Sequence, residues 1–146
     1  MKVLLIVLAI LSISTLSRAS WPTSELDCLA ANVYFEARGE PIRGQYMVAY
    51  VTINRAKDGK FPNTICGVVK QESQFSWVND HIINKPTDME QWKKAKQIAR
   101  SALNKSYSVI KMISKGALFY HADYVKPRWR KGLVYVTQID SHIFYK

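Results

Sequence analysis

Between Leu26 and Pro41 the chain spells out a helix and then forbids its continuation. Leu26, Leu29, Ala30, Val33 and Tyr34 recur at helical spacing, so one face of this segment is built to be buried. Gly39 and Pro41 then stop it, because glycine favours the turn out of a helix and proline lacks the amide that would extend one. Glu36 and Glu40 fall at that end. A carboxylate there is held by the helix yet still meets solvent. The negative end of the helix dipole and the neighbouring rings of Tyr34 and Phe35 push such a group toward its protonated form, as a general acid working near neutral pH requires. Glu36 is therefore the first catalytic candidate. The competing reading is an ordinary helix end whose glutamates are solvated or paired with Arg38 and Arg43, and spacing alone leaves it open.

The remaining pattern continues the helical theme and then changes period. Ser24 is placed to cap the first helix. A second helix is expected from Ile42 to Ala56, with Tyr46, Ala49, Tyr50 and Ile53 on its buried face, closed by Asp58, Gly59 and Pro62. Thr64 can cap a short helix through Val69. Residues 71–85 are polar with inserted aromatics and read as a long loop of the kind that carries function. Thr87 to Glu90 spells a capping box opening a helix to Leu103, with Met89, Trp92, Ala99 and Leu103 toward the core. From Gly116 onward aromatic and β-branched residues dominate. Ala117 to His121, Leu133 to Ile139 and His142 to Tyr145 read as strands, the last two joined by a tight turn at Asp140 and Ser141. The fold class expected is α+β, mainly helical, with a small C-terminal antiparallel sheet.

The opening MKVLLIVLAILSISTLSRAS has a lysine, an apolar run from Val3 to Leu11, and small residues Ser17 and Ala19. This is the layout of a secretory signal cleaved after Ala19, leaving residues 20–146 as one domain; the apolar run is short for a bilayer span, though an uncleaved anchor is the alternative. Removing residues 1–19 takes away Lys2 and Arg18 and leaves nineteen basic residues against eleven acidic ones, a net charge of +8. Such a chain favours polyanions, whether nucleic acid, an anionic membrane face or a cell wall; charge alone does not choose among them, and export with the lack of a nucleic-acid motif argues against DNA. Export also makes the two cysteines interpretable: Cys28 and Cys66 would meet an oxidising compartment and can pair. A catalytic cysteine served by His81, His121 or His142 is the other use for them. Neither lies in a CxxC pair, and no dense His/Asp cluster accompanies them, so no metal or other cofactor is implied.

Four ordered blocks carry a family resemblance. CLAANVYFEARGEPIRGQYMVAYVTINR runs from Cys28 to Arg55, FPNTICGVVKQESQFSW from Phe61 to Trp77, GALFYHADYVKPRW from Gly116 to Trp129, and HIFYK closes the chain. With these blocks the chain resembles the SleB-type cell wall hydrolases, the spore cortex-lytic enzyme family. The resemblance implies a compact lysozyme-like or lytic-transglycosylase-like domain that cuts peptidoglycan glycan strands, with Glu36 as its acid and Glu40 as the fallback. It also strengthens a Cys28–Cys66 disulfide. Glycosidic cleavage requires a proton on the leaving oxygen, and an ordinary glycosidase adds a second carboxylate, for which Glu72 and Asp80 are the nearest choices. The resemblance favours the lytic transglycosylase route, in which one glutamate serves twice. Gln74, Phe75, Ser76 and Trp77 in the loop, with Gln45, Tyr120 and His121, offer amides, hydroxyls and rings for holding a sugar. Phe75 and Trp77 as core plugs and Gln45 as a helix cap are the structural alternatives. The expected partner is the glycan strand; the expected setting is secreted or periplasmic, acting as a monomer.

Overall fold

The computed structural model describes residues 24–71, 85–106 and 108–146. The expected signal, Glu72, Gln74, Phe75, Ser76, Trp77, Asp80 and His81 lie outside them. In chain order come helices α1 (Glu25–Ala37), α2 (Ile42–Arg55), α3 (Ile65–Val69), α4 (Met89–Leu103) and α5 (Ser108–Ser114). Strand β1 (Phe119–Ala122), a 3-10 turn (Arg128–Gly132), β2 (Tyr135–Ile139) and β3 (His142–Tyr145) follow. Among the described residues no helix is long and apolar enough to cross a membrane.

Ser24 caps α1 as its sequence suggested. Its Oγ accepts the Asp27 amide at 3.0 Å and donates to the Asp27 carboxylate at 2.8 Å. Lys96 on α4 reaches the same carboxylate at 3.0 Å. The Ser24 hydroxyl first, and then Lys96, hold Asp27 below its ordinary pKa.

The second helix is buried on every side. Besides the expected Tyr46, Ala49, Tyr50 and Ile53, every residue from Gly44 to Ile53 is buried, because α1, α3, α4 and α5 all pack against it. Polar side chains inside such a helix must find partners within the protein. Thr52 accepts the buried Asn32 amide at 2.8 Å.

Two links tie α3 to α1. Thr64 caps α3 by accepting the Gly67 amide at 3.0 Å, and Glu25 of α1 accepts the Ile65 and Cys66 amides at 2.7 and 3.3 Å. A carboxylate at a helix N-terminus meets both its free amides and its positive dipole end. Cys28 and Cys66 form a disulfide across the same junction, which removes the catalytic-cysteine alternative. A side chain at Gly67 would meet Thr64 Oγ1 at 2.7 Å and Pro62 Cβ at 2.8 Å, so only glycine fits beneath this cap.

The start of α4 differs from the sequence reading by one residue. Asp88, rather than Thr87, is the cap and accepts the Gln91 amide at 3.0 Å. The reason is tertiary: the buried Tyr34 hydroxyl accepts the Thr87 and Asp88 amides at 3.1 and 3.0 Å and pins this turn to α1. Met89 is exposed and Trp92 and Leu103 only half-buried, while Ala95, Ile98, Ala99 and Ala102 form the core face. Small residues there let α4 approach α1 closely. Lys105, at φ 56°, then turns the chain into the separate helix α5, and Gly116, at φ 75°, performs the turn toward β1 with a backbone that glycine adopts without strain.

The three strands form an antiparallel sheet in the order β1-β3-β2, so the last segment of the chain is its central strand. Register places Tyr120 opposite Phe144 and His121 opposite Ile143. The pleat sorts the side chains of β1 and β3 by alternation, and an irregularity between Tyr135 and Thr137 of β2 moves Tyr135 to the face opposite Ile139. Tyr120, His142, Phe144 and Ile139 share the face turned to the helices, and Phe119, His121, Tyr135 and Tyr145 share the outer one.

Candidate active site

Glu36 sits one residue before the end of α1, half-buried. The Tyr120 hydroxyl donates to its Oε2 at 3.1 Å, across 84 residues of sequence. Two side chains at the end of α2 bring the strand there: Asn54 donates to the Ala117 carbonyl at 3.1 Å, and Arg55 Nε donates to the Leu118 carbonyl at 2.6 Å. The residues leading into β1 are thus clamped to α2, and Tyr120 follows onto Glu36.

Arg55 does more than hold the strand. It is buried, its guanidinium lies 5.3 Å from the Phe61 ring centroid and 5.7 Å from that of Phe119, and its charge interacts with Tyr120 and Glu36. Burial lowers its pKa while those two neighbours raise it, and a guanidinium starts so high that it stays charged. Burial, and then the Glu36 charge, push Tyr120 well above its ordinary value, so it is a neutral phenol at any working pH and its proton is always available to Glu36. A donated phenol hydrogen bond and a nearby guanidinium both prefer a charged Glu36 to a neutral one.

Glu40 has a different setting. Ser141, in the turn between β2 and β3, donates to its Oε1, and His142 Nδ1 lies 3.5 Å from its Oε2. The Glu40 backbone carbonyl accepts the Gln45 amide at 2.9 Å. Gly44 leaves room for this arrangement, since a Cβ there would come 3.1 Å from Glu40 Cβ. The His142 ring meets that of Tyr120 edge to face at 5.3 Å. Glu40 therefore anchors the sheet to the start of α2, next to the Tyr120 that reaches Glu36.

The expected site residues divide accordingly. Tyr120 is brought to Glu36. Gln45 is buried and spends its amide on the Glu40 carbonyl, which makes it a brace of the turn rather than a sugar-binding group. His121 points to the outer face, buried, with Nδ1 paired to the Ala122 carbonyl at 2.7 Å and Nε2 to the Tyr145 hydroxyl at 3.1 Å. The pleat separates it from its neighbour Tyr120. Arg55, Ser141 and His142 were missed as parts of this site. Arg55 ends a helix as many arginines do, and nothing local ties Ser141 or His142 to a glutamate 101 residues away.

Comparison with known proteins places this geometry. The profile of the Cell Wall Hydrolase family matches residues 39–145. The chain belongs to the cell wall hydrolase family. Its match begins just after Glu36, so the assignment of the acid rests on the Tyr120 and Arg55 geometry rather than on the profile. The spore cortex-lytic enzyme of Oceanobacillus iheyensis is 34% identical over 84% of this chain, and that of Bacillus subtilis 29% over 83%. This hydrolase-family chain spans 42% and 37% of their lengths. Among solved structures, the catalytic domain of the Bacillus cereus SleB protein is 30% identical with a TM-score of 0.68, covering 88% of this chain and 94% of that one. The catalytic domain of the germination-specific lytic transglycosylase SleB from Bacillus anthracis gives the same identity and TM-score and is covered over 99%. The lysozyme-like α+β fold read from the sequence is thus the fold of this family member.

Proposed function

We propose that this protein cleaves the β-1,4 bond between N-acetylmuramic acid and N-acetylglucosamine in peptidoglycan as a lytic transglycosylase, with Glu36 as both acid and base. The observation that carries the reading is the Tyr120 hydroxyl donated to Glu36 at the helix end, with the Arg55 charge beside it. Glu36 gives its proton to the glycosidic oxygen as positive charge builds on the muramic acid C1. The carboxylate left behind is stabilised by Tyr120 and Arg55, an interaction stronger after transfer than before, which is the kind that lowers a barrier. The same carboxylate then takes the proton of the muramic acid 6-hydroxyl as that oxygen bonds to C1, closing a 1,6-anhydro ring. No second carboxylate is needed. Glu40 is engaged with Ser141 and His142, which supports a single-glutamate route.

We place the reaction outside the cytoplasm. The Cys28–Cys66 disulfide supports that, as does the signal-like opening. Mass spectrometry of peptidoglycan digested by the protein and by Glu36→Gln tests the proposal. Muropeptides lighter than the reducing forms by one water, absent with Glu36→Gln, are the expected result. Reducing ends would overturn the transglycosylase route and turn attention to Glu72 and Asp80 as water-activating partners. Unchanged cleavage by Glu36→Gln would overturn the acid.

A further inference from the structure

The outer face of the sheet and the loop that crosses it carry a surface that the catalytic reading does not use. Among the described residues nine large hydrophobic side chains are exposed, and five of them fall between residues 124 and 135. Tyr124 is 82% exposed, Tyr135 60% and Trp129 47%. Residues 123–135 also hold four basic side chains and one acidic one, and Lys126, Arg128 and Lys131 are exposed. Among the described residues, none of these cations forms a salt bridge. Apolar surface left open beside unneutralised charge costs a free protein solubility and contributes nothing to its core, so such a patch marks a contact surface.

Two of its three aromatic rings, those of Trp129 and Tyr135, pack against the sheet. Trp129 packs against Phe119, His121 and Tyr145 at centroid distances of 6.0, 5.6 and 6.1 Å, and Tyr135 meets Tyr145 edge to face at 6.3 Å. Neither ring has much rotamer freedom left to lose on binding. Flat, immobilised rings next to cations suit a polymer that offers sugar faces for stacking and anionic groups at its margins. A lipid surface fits less well: insertion gains nothing from fixed rings and prefers apolar side chains that are not interleaved with charge.

We infer that this surface is a second, non-catalytic binding site for an anionic polysaccharide, a glycan bearing carboxylates or phosphodiesters. Its packed rings, Trp129 and Tyr135, lie against the face of the sheet opposite Tyr120. Bound there, the polymer holds the enzyme at the wall while the other face works. The inference stands on exposure, charge and ring packing, and is independent of whether Glu36 gives anhydro or reducing products.

Co-sedimentation of the protein with purified, insoluble cell walls at several salt concentrations tests it. Two variants disrupt the surface: Lys126→Gln/Arg128→Gln/Lys131→Gln, and Tyr124→Ser/Tyr135→Ser. A third, Lys93→Gln/Lys94→Gln/Lys115→Gln, removes equal charge elsewhere. All the substituted side chains but those of Lys94 are exposed, and thermal unfolding verifies that each variant is folded. The charge variant is expected to bind about tenfold more weakly with a shallower salt dependence, the tyrosine variant to weaken binding several-fold, and the charge-matched control to change little. Equal losses in the control would overturn the inference in favour of net charge alone. Wall binding unaffected by either surface variant would also overturn it. Anionic phospholipid vesicles binding with the same dependence on Tyr124 and Tyr135 would reassign the surface to a membrane.

Discussion

Replacing Tyr120 by phenylalanine removes one hydroxyl and little else. The ring contacts with Phe144 and His142, at 5.7 and 5.3 Å, persist, so the fold is expected to unfold within a few degrees of the parent. What disappears is the hydrogen bond to Glu36 Oε2. A hydrogen bond to a charged group contributes about 1.5–3 kcal/mol. If that stabilisation is realised mainly once Glu36 has given up its proton, the barrier rises by a similar amount, which is about a 10- to 150-fold loss in kcat. Burial, and then Glu36, push Tyr120 well above its ordinary pKa, so in the parent enzyme it is a donor throughout the working pH range. Initial rates of muropeptide release across substrate concentrations separate kcat from KM; the fall is expected in kcat. A double variant with Glu36→Gln should be no slower than Glu36→Gln alone, since the hydroxyl acts through that carboxylate. A Tyr120→Phe enzyme within twofold of the parent would sink the reasoning.

Breaking the disulfide with Cys28→Ala/Cys66→Ala opens a loop of 38 residues, for which chain entropy predicts a loss of about 4 kcal/mol and a fall in Tm on the order of 15 °C; calorimetry checks it, and an unchanged Tm would mean that the Glu25 and Thr64 contacts hold α3 unaided. Asp27 has a lowered pKa, so its contribution to stability is present above the ordinary carboxylate value of 3.8 and is lost as the pH falls through the lowered one. Asp27→Asn should therefore flatten the acid limb of Tm against pH, and an identical limb would refute the assignment. Gly44→Ala places a methyl 3.1 Å from Glu40 Cβ, tighter than ordinary contact, and is expected to shift Glu40 from Ser141 and His142, lowering kcat several-fold with a Tm loss of a few degrees. Wild-type kinetics in that variant would uncouple Glu40 from the site.

Features written in neighbouring residues were legible in advance. Ser24 and Thr64 cap their helices because a hydroxyl and the amide three residues on are fixed by local geometry, and β3 begins and ends where its alternation does. Other features depend on partners far along the chain. Thr87 looked like the cap of α4 until the Tyr34 hydroxyl, more than fifty residues earlier, claimed its amide. The α2 helix gave no sign that all its faces are buried, since the partners of Gln45, Thr52 and Arg55 are Glu40, Asn32 and Leu118, which the helix pattern does not name. In the candidate site, the position of Glu36 at a helix end was legible in the sequence, while its contact with Tyr120 depends on residues 84 apart. His121 failed on parity: in a strand, one residue of offset changes the face, and only the pairing with β3 fixes which face is which.

The placement of Glu36 and Glu40 four residues apart explains how the helical and sheet parts of the protein make one site. Each glutamate is held by the C-terminal part of the chain, Glu36 by one side chain and Glu40 by two. Tyr120 on β1 reaches Glu36, and Ser141 with His142, at the start of β3, reaches Glu40. These contacts arise from the C-terminal third of the chain, and β3 is the strand that pairs with both others. Without the sheet Glu36 lacks its phenol donor. Pairing of β3 with β1 and β2 joins the Tyr120–Glu36 contact to the Ser141–Glu40 contact in one sheet. Contacts spanning 84 and 101 residues carry a loop-closure cost that local helix contacts do not, so loosening the sheet is expected to separate both glutamates from these partners before the helices part.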